Sequence, residues 1–254
     1  MPEARPPEAR PPEPRTPEPR TLDRWRARLA RAIAPSPPLA PLPASPRPGR
    51  LVIAGTGRAG TTALMRLFVR LGLDTGFTPE DVARVEGNVG RAGLERVPTR
   101  ETIDAMPDIL KSPILVDVLE DGLSEGWLEI ARAIVPVREL GAAAQSRRDV
   151  RARAPAEGID PDHAPGGLWR TDDPARQEEA LAVAFHRTVE ALVLHDVPTT
   201  FLAFPRFVRD ADYLAERIGP LLAARYGVTD GALREAFVAE MRPDLVTVAS
   251  PPRA

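Results

Sequence analysis

Hydrophobic and polar positions alternate between two kinds of segment along most of the chain. Short apolar runs, which predict strands, are followed by longer stretches with apolar residues every three or four positions, which predict helices. We predict strands at Arg50–Gly55, Asp108–Lys111, Ala133–Val137 and Thr199–Phe204. We predict helices at Gly60–Leu71, Ile114–Asp121, Leu140–Val150, Pro174–Leu194, Ala211–Tyr226 and Asp230–Met241. This repeated order is typical of a three-layer, doubly wound α/β domain in which helices cover both faces of a parallel sheet.

The N-terminal residues depart from this pattern. They repeat a five-residue unit of proline, glutamate, alanine and arginine that offers too little apolar surface to fold, so we predict a disordered tail over residues 1–20. Residues 21–34 predict an amphipathic helix, because apolar side chains recur on one helical face between Leu22 and Ile33. This helix either docks on the protein's own core or binds a membrane surface or a partner.

Prolines again dominate residues 35–48, which we interpret as a linker. The folded domain is therefore predicted to span residues 49–245, and residues 246–254 are predicted to be a flexible C-terminus. With 254 residues and a hydrophobic content of 43%, the chain is long enough to bury one sizeable core.

Composition argues against several classes of function. A formal net charge of −2 gives no general attraction to nucleic acid, so we expect no nucleic-acid partner. No apolar run approaches the roughly 18 residues of a transmembrane segment, and the N-terminus lacks the apolar centre of a signal peptide, which predicts a cytoplasmic protein. The absence of cysteine excludes thiol catalysis, and the three histidines are too scattered for a zinc site, so we predict no metal.

A Gly-rich turn follows the first predicted strand and leads into a helix, in the segment Leu51–Thr62. Gly55, Gly57 and Gly60 allow the backbone to bend tightly and to expose its N–H groups. The helix adds unpaired donors and the positive end of its dipole, so the turn predicts a phosphate or sulfate site. Thr61 stands where a nucleotide triphosphatase carries its lysine, which weakens an ATP-hydrolysing interpretation.

Two arginines at strand ends supply fixed positive charge. Arg58 lies inside the Gly-rich turn, where its planar fork of donors suits an anion that is being transferred. Arg138 directly follows the predicted strand Ala133–Val137, and Ser146 comes eight residues later on the next predicted helix. Taken alone, this second pair is more simply a surface arginine and a helix-side serine. Beside the Gly-rich turn, it suits a second phosphate.

The two constellations together resemble those of a known family. The residues of the turn are Gly57, Arg58, Ala59, Gly60, Thr61 and Thr62. They are similar to the loop by which sulfotransferases hold the 5′-phosphosulfate of 3′-phosphoadenosine 5′-phosphosulfate (PAPS). Arg138 and Ser146 match, in type, spacing and order, the pair that these enzymes use for the 3′-phosphate. The chain therefore resembles bacterial sulfotransferases over approximately Arg50 to Met241.

This resemblance implies a P-loop fold and an activity. It implies in-line transfer of a sulfuryl group from PAPS, the co-substrate, to a hydroxyl or amine of a small-molecule, glycan or lipid acceptor, without a metal. Backbone N–H groups of the loop, together with Arg58, would stabilise the negative charge that grows on the leaving phosphate.

The general base is not determined by the motifs. Some bacterial and Golgi sulfotransferases use a glutamate that follows the first helix, and by that resemblance Glu80 is the leading candidate. Glu86, Glu95 and His163 are alternatives. The segment Pro79–Asp81 is also typical of an ordinary helix start with acidic residues on its positive end.

Lys111 is the only lysine in the chain and lies at the end of a predicted strand, on the edge of the sheet where ligands bind. We expect it to neutralise the transferring group or to orient an acceptor, although lysines at strand ends are also commonly solvated. The segment Asp149–Asp173 is too long for a simple connection, and we predict that it forms a lid over the acceptor.

Two other classes of function stay open. A small-molecule kinase or another P-loop nucleotide enzyme would share the anion-binding turn, but the turn lacks the lysine and the sequence has no clear acidic magnesium site after a strand. A non-catalytic nucleotide-binding or scaffold protein would fit the repetitive tail and the unassigned base.

Overall fold

The computed structural model describes residues 49–246, which form an α/β fold built on a four-stranded sheet. The strands are β1 (Arg50–Ile53), β2 (Ile109–Lys111), β3 (Ile130–Val137) and β4 (Thr199–Ala203). All neighbouring strands are parallel, and their order across the sheet is β2-β1-β3-β4. The predicted α/β class with a parallel sheet is therefore confirmed.

Eight α-helices accompany the sheet within this range. They are α1 (Thr61–Arg70), α2 (Pro79–Glu86), α3 (Leu115–Ser124), α4 (Leu140–Arg153), α5 (Gln177–Leu194), α6 (Arg206–Arg209), α7 (Ala211–Tyr226) and α8 (Asp230–Glu240). Short 3₁₀ turns lie at Ile103–Ala105, Ala154–Glu157, Pro174–Arg176 and Pro243–Leu245. All six predicted helices are present, with boundaries that differ by a few residues.

Two helices and part of one strand are absent from the prediction. α2 begins with a capping box, in which the Thr78 hydroxyl accepts from the Asp81 backbone N–H at 3.4 Å and the Asp81 carboxylate accepts from the Thr78 N–H at 3.0 Å. α6 has four residues, too few for a periodic pattern. β3 begins at Ile130, which pairs with Arg50, and the polar side chain of Arg132 conceals this part of the strand.

The remaining predictions on the chain ends lie outside the described residues. These are the predicted tail, amphipathic helix and linker (residues 1–20, 21–34 and 35–48) and residues 247–254 of the predicted C-terminus. Between residues 49 and 246, no helix is both long enough and apolar enough to cross a membrane.

The sheet carries a hydrophobic core on each face. Along β1 the side chains alternate, so that Leu51 and Ile53 pack into one cluster while Val52 and Ala54 pack into another. The first cluster includes buried residues of α1, α7 and α8, and the second includes buried residues of α3 and α5. Because β1, β2 and the second half of β3 are buried on both faces, they appear in the sequence as continuous apolar runs, whereas β4 has one buried and one exposed face.

The strand order creates a crevice at the carboxyl ends of β1 and β3. The chain passes from β1 to β2 on one side and then crosses back to β3 on the other side of β1. α1 follows β1 and packs on the first face, whereas α4 follows β3 and packs against α5, which covers the second face. The connections after β1 and β3 therefore diverge, which is the arrangement at which α/β proteins bind ligands.

A buried ion pair lies at the opposite, amino end of the sheet. Asp108 immediately precedes β2 and accepts hydrogen bonds from Arg225 Nη2 and from the Tyr226 hydroxyl, both at 2.6 Å. Arg225 Nη2 also donates to the Gly49 carbonyl at 2.7 Å. The side chains of Asp108 and Arg225 are 7% and 12% exposed, so this pair ties the starts of β1 and β2 to the end of α7 away from water.

We expect Asp108→Asn to destabilise the fold by about 3–5 kcal/mol, because removing one partner of a buried pair leaves the other charge uncompensated. Chemical denaturation of the two proteins measures this difference. Asp212→Asn is the matched control, since Asp212 pairs with Arg234 at the surface and its side chain is 87% exposed; exposed pairs contribute little. Equal stability of the two variants would contradict the structural role of the Asp108 pair.

Candidate functional site

The loop between β1 and α1 is bent so tightly that three positions favour glycine. Gly55, Gly57 and Gly60 have positive φ angles of +136°, +72° and +84°. A Cβ at Gly60 would lie 2.6 Å from Phe207 Cζ, and one at Gly57 would lie 2.8 Å from Arg147 Nη2. The loop backbone is therefore in direct contact with the side chains packed around it.

The backbone N–H groups of this loop are available to a ligand. Gly60 is the N-cap residue of α1 and supplies no side-chain cap. Within the described part of the chain, no backbone N–H of residues 57–62 donates a hydrogen bond to another protein group. An anion can accept these hydrogen bonds and at the same time interact with the positive end of the α1 dipole.

The Arg58 side chain extends from the loop to α4, the helix that follows β3. Its backbone has a positive φ of 57°, and its Nε donates to Ser146 Oγ at 3.1 Å. Its Nη1 donates to the carbonyl of Gly90. Burial, joined by repulsion from Arg138, lowers the pKa of Arg58 to about 10, so that the guanidinium stays charged at neutral pH.

Arg138 lies directly after β3 and contacts the same loop. Its Nη1 donates to the Arg58 carbonyl at 2.9 Å, and its guanidinium carbon lies 5.0 Å from the centroid of the Phe204 ring. Ser146 is on α4 and is buried. The structure thus brings together the Gly-rich turn and the Arg138–Ser146 pair, which the sequence separates by about eighty residues.

Lys111 provides a further cation at the loop. It ends β2, is 2% exposed, and donates from Nζ to Thr62 Oγ1 at 3.2 Å. The same Nζ donates to the Gly93 carbonyl at 2.6 Å and to Glu95 Oε1 at 3.0 Å. Burial lowers the pKa of Lys111, and the Glu95 carboxylate opposes that shift. The only lysine of the chain is therefore buried at the Gly-rich loop and is not a solvated strand end.

Arg147 is a candidate site residue that the sequence analysis missed. It follows Ser146 on α4 and is 4% exposed. Its Nη2 donates to the Thr56 carbonyl at 2.6 Å and its Nη1 donates to the Gly167 carbonyl at 2.7 Å. Burial and then repulsion from Arg58 lower its pKa to about 9. Its position beside Ser146 is the one available signal, and the many arginines of the chain conceal it.

Positive charge exceeds negative charge around the loop. Glu95 is the carboxylate that pairs with Lys111. Among residues 49–246, neither Arg58 nor Arg147 has a carboxylate within ion-pair distance. Because a buried charge without a counter-ion is costly, a bound anion would stabilise this group of cations.

These residues line a cavity of about 610 Å³ at the crevice between β1 and β3. The volume falls in the range typical of small-molecule and cofactor sites. Residues of the predicted lid also line it: within Asp149–Asp173, the chain leaves α4, makes a 3₁₀ turn and passes the cavity at Gly166, Gly167, Leu168 and Trp169. The cavity wall also includes residues 85–92, Glu95, residues 113, 114, 204 and 208, and the end of α8 with the turn that follows it.

The candidate bases fall into two groups. Glu80 is exposed in the first turn of α2 and does not line the cavity, and the Thr78 side chain lowers the pKa of its carboxyl. His163 is also exposed, with its Nδ1 2.8 Å from Asp160 Oδ2, and it does not line the cavity. Glu86 and Glu95 do line it. Glu80 and His163 are therefore not brought to the other predicted site residues.

Glu86 and Glu95 differ in their partners. Glu86 Oε1 lies 2.8 Å from Arg66 Nη2, which also contacts Glu240 Oε2 at 3.1 Å. Glu95 contacts Lys111 and is therefore one side chain away from Thr62 and the loop. Of the four side chains considered as bases, Glu95 is the one connected to the Gly-rich loop.

One further finding concerns metal binding by the described residues, and another concerns the similarity of the chain to known proteins. Between residues 49 and 246, no group of three or more histidine, aspartate or glutamate side chains is arranged to hold a metal ion. No protein-family profile, no curated protein and no solved structure matches this chain.

We expect the stability of the wild type relative to Lys111→Met to rise with pH. The folded-state pKa of Lys111 is lowered, so the penalty for its buried charge is complete below that pKa. Above it, the unfolded chain binds more protons than the folded chain until the ordinary lysine value of about 10.4, and stability increases. Denaturant unfolding of both proteins across this range measures the change.

Pyrophosphate serves as the control for this measurement, because a bound anion favours the charged ammonium and should flatten the pH dependence of the wild type. A stability difference that does not vary with pH would mean that burial does not perturb Lys111.

Proposed function

We propose that the chain is a PAPS-dependent sulfotransferase with a P-loop-type domain. The observation that carries this proposal is the loop of residues 57–62, whose N–H groups are free to bind an anion beside the cations Arg58, Lys111 and Arg147. The resemblance of this loop and of the Arg138–Ser146 pair to sulfotransferase motifs supplies the identity of the anion.

The residues present fit the two anionic groups of PAPS. The loop N–H groups and Lys111, which contacts Thr62, suit the 5′-phosphosulfate. Arg138 and Ser146 suit the 3′-phosphate, and Arg58 lies between the two sets, since it bonds to Ser146 and forms part of the loop. When bound, PAPS would supply a sulfuryl group on a phosphate leaving group.

The cations explain how the transfer would be accelerated. As the bond between sulfur and the bridging oxygen breaks, negative charge grows on the leaving 5′-phosphate. Loop N–H groups, with Lys111 and Arg58, stabilise that charge, and donors held in place before the reaction are worth most in a site of low dielectric. Arg58 acts here as a clamp and not as an acid, because a guanidinium keeps its proton.

Glu95 is the general base of the proposed reaction, in place of Glu80. The acceptor hydroxyl or amine gives its proton to the Glu95 carboxylate while its oxygen or nitrogen forms the new bond to sulfur. Glu95 lines the cavity and touches Lys111, whereas Glu80 lies at the surface in a helix cap. The acceptor is a small molecule, or part of a glycan or lipid.

Adenosine 3′,5′-bisphosphate should stabilise the protein without a divalent metal, because both phosphates have cationic partners. At about a hundred times its dissociation constant the gain is roughly 2.7 kcal/mol, measured by thermal or chemical unfolding. Stabilisation by ATP that requires magnesium, with none by the bisphosphate, would instead favour a small-molecule kinase. Binding of the bisphosphate without release of sulfate from PAPS would favour a non-catalytic nucleotide-binding protein.

Glu95→Gln should lower sulfate release from PAPS, with water as the acceptor, by about 10²–10⁴-fold, the usual contribution of a general base. Affinity for adenosine 3′,5′-bisphosphate should change little, because the base acts on the acceptor. Glu80→Gln is the matched control and should keep wild-type turnover. A fully active Glu95 variant would show that Glu95 is not the general base, and Glu86 would then be the candidate that lines the cavity.

A further inference from the structure

Arg147 joins two segments that are distant in the sequence. Its Nη2 binds the carbonyl of Thr56, at the start of the anion-binding loop, and its Nη1 binds the carbonyl of Gly167. The guanidinium carbon also lies 5.3 Å from the centroid of the Trp169 ring. One planar side chain therefore contacts both the loop and residues 164–169, which we call the 164–169 segment.

The fit around Arg147 leaves little room for other arrangements. Its Nη2 lies 2.8 Å from the position that a Cβ of Gly57 would take, so the loop can approach the guanidinium this closely only with glycine there. Trp169 is held in turn by Gln177, whose side chain accepts from the Trp169 backbone N–H at 2.8 Å and donates to its carbonyl at 3.0 Å. Arg147 therefore contacts the loop on one side and an anchored tryptophan on the other.

The 164–169 segment also contacts Arg58, the arginine of the loop. A Cβ at Gly166 would lie 2.9 Å from Arg58 Nη1, and a Cβ at Gly90 would overlap the Pro165 carbonyl. Arg58 Nη1 itself donates to the Gly90 carbonyl. Arg58 and Arg147 therefore both contact backbone that forms the wall of the cavity.

The charge of Arg147 makes this contact sensitive to an anion. Arg147 is buried with carbonyl partners, its Nε has no partner among the described residues, and Arg58 repels it. An anion held by the N–H groups of residues 57–62 would lie beside this cation and reduce the repulsion. Anion binding and the Arg147 contacts would then stabilise each other.

We propose that Arg147 is a positioning residue of this site: it ties the anion-binding loop to the 164–169 segment, so that anion binding at the loop sets the position of Trp169 against the cavity. The proposal rests on the proposed function, because the anion is the phosphate end of a nucleotide. Arg147 does not itself need to touch the ligand.

Fluorine NMR of protein labelled with fluorotryptophan tests the proposal, with the Trp169 resonance assigned from Trp169→Phe. In the wild type, adenosine 3′,5′-bisphosphate should shift that resonance, and adenosine should not. In Arg147→Met, the bisphosphate should bind about tenfold more weakly, through loss of a favourable charge, and the Trp169 resonance should no longer respond. Arg148→Met is the matched control on the same helix, since Arg148 contacts Glu178 and the Pro174 carbonyl instead, and it should respond as the wild type does.

Arg147→Lys separates the effect of the positive charge from the effect of the contact between the loop and the 164–169 segment. A lysine keeps the positive charge but lacks the planar fork that reaches two carbonyls at once, so the affinity should largely recover while the response of Trp169 stays weak. Unfolding curves establish which variants are folded, and the wild-type measurement decides the question if neither Arg147 variant is.

Three results would count against the proposal in different ways. A wild-type response in both Arg147 variants would show that the coupling does not pass through Arg147. Binding of the bisphosphate to the wild type without any shift of the Trp169 resonance would show that the segment is not coupled to the loop. No binding of the bisphosphate would remove the proposed function and this inference with it.

Discussion

Burial of more positive charge than nearby carboxylates match is the constraint on which the rest of the site depends. Arg147 is almost completely buried, and its hydrogen bonds go to the carbonyls of Thr56 and Gly167; Lys111 is equally buried and has the Gly93 carbonyl beside the Glu95 carboxylate. A charge removed from water is tolerated only where dipoles or counter-ions replace the lost hydration. The irregular segments on either side of the cavity supply those dipoles through their carbonyl groups, so the stability of the buried charges depends on the conformation of these segments.

The order of the strands determines where this charge collects. β1, β2 and β3 are neighbours, and at their carboxyl ends lie the Gly-rich loop, Lys111 and Arg138. In a parallel sheet these ends share one edge, and the divergence of α1 and α4 to opposite faces opens the space between them. The Asp108–Arg225 pair holds the other edge of the same sheet, away from the cavity. The chemistry and the anchoring of the sheet are thus separated by the length of the strands.

The elements that the sequence predicted well are those with local signals. Apolar runs identified the four strands, and the motifs around Gly57, Gly60 and Arg138 identified two segments that the structure brings together. β3 was predicted too short because Arg132 interrupts its polarity pattern. The segment Pro79–Asp81 fits both an ordinary helix start and the place of a catalytic base. In the structure Asp81 completes a capping box, while Glu80 stays exposed.

Contacts between irregular segments have no such signal. Glu95 reaches Lys111 from a loop without periodicity, and Arg147 reaches Gly167 from a helix that is rich in arginine. The partner of Glu95 is a single lysine and those of Arg147 are backbone carbonyls, and neither kind of contact leaves a recognisable spacing in the sequence. Only the folded arrangement, with the 164–169 segment against the loop, distinguishes Arg147 from its neighbour Arg148.

The position of Lys111 links the two ends of the proposed reaction. Its Nζ contacts both Thr62 of the loop and the Glu95 carboxylate, so the same ammonium faces the anion and the base. In the proposed reaction Lys111 therefore has two tasks: at Thr62 it stabilises the negative charge that grows on the leaving phosphate, and at Glu95 it fixes the carboxylate beside the loop. Because one buried ammonium makes both contacts, a sulfuryl donor held at the loop and an acceptor that gives its proton to Glu95 would lie close together, which is the arrangement that transfer between them requires.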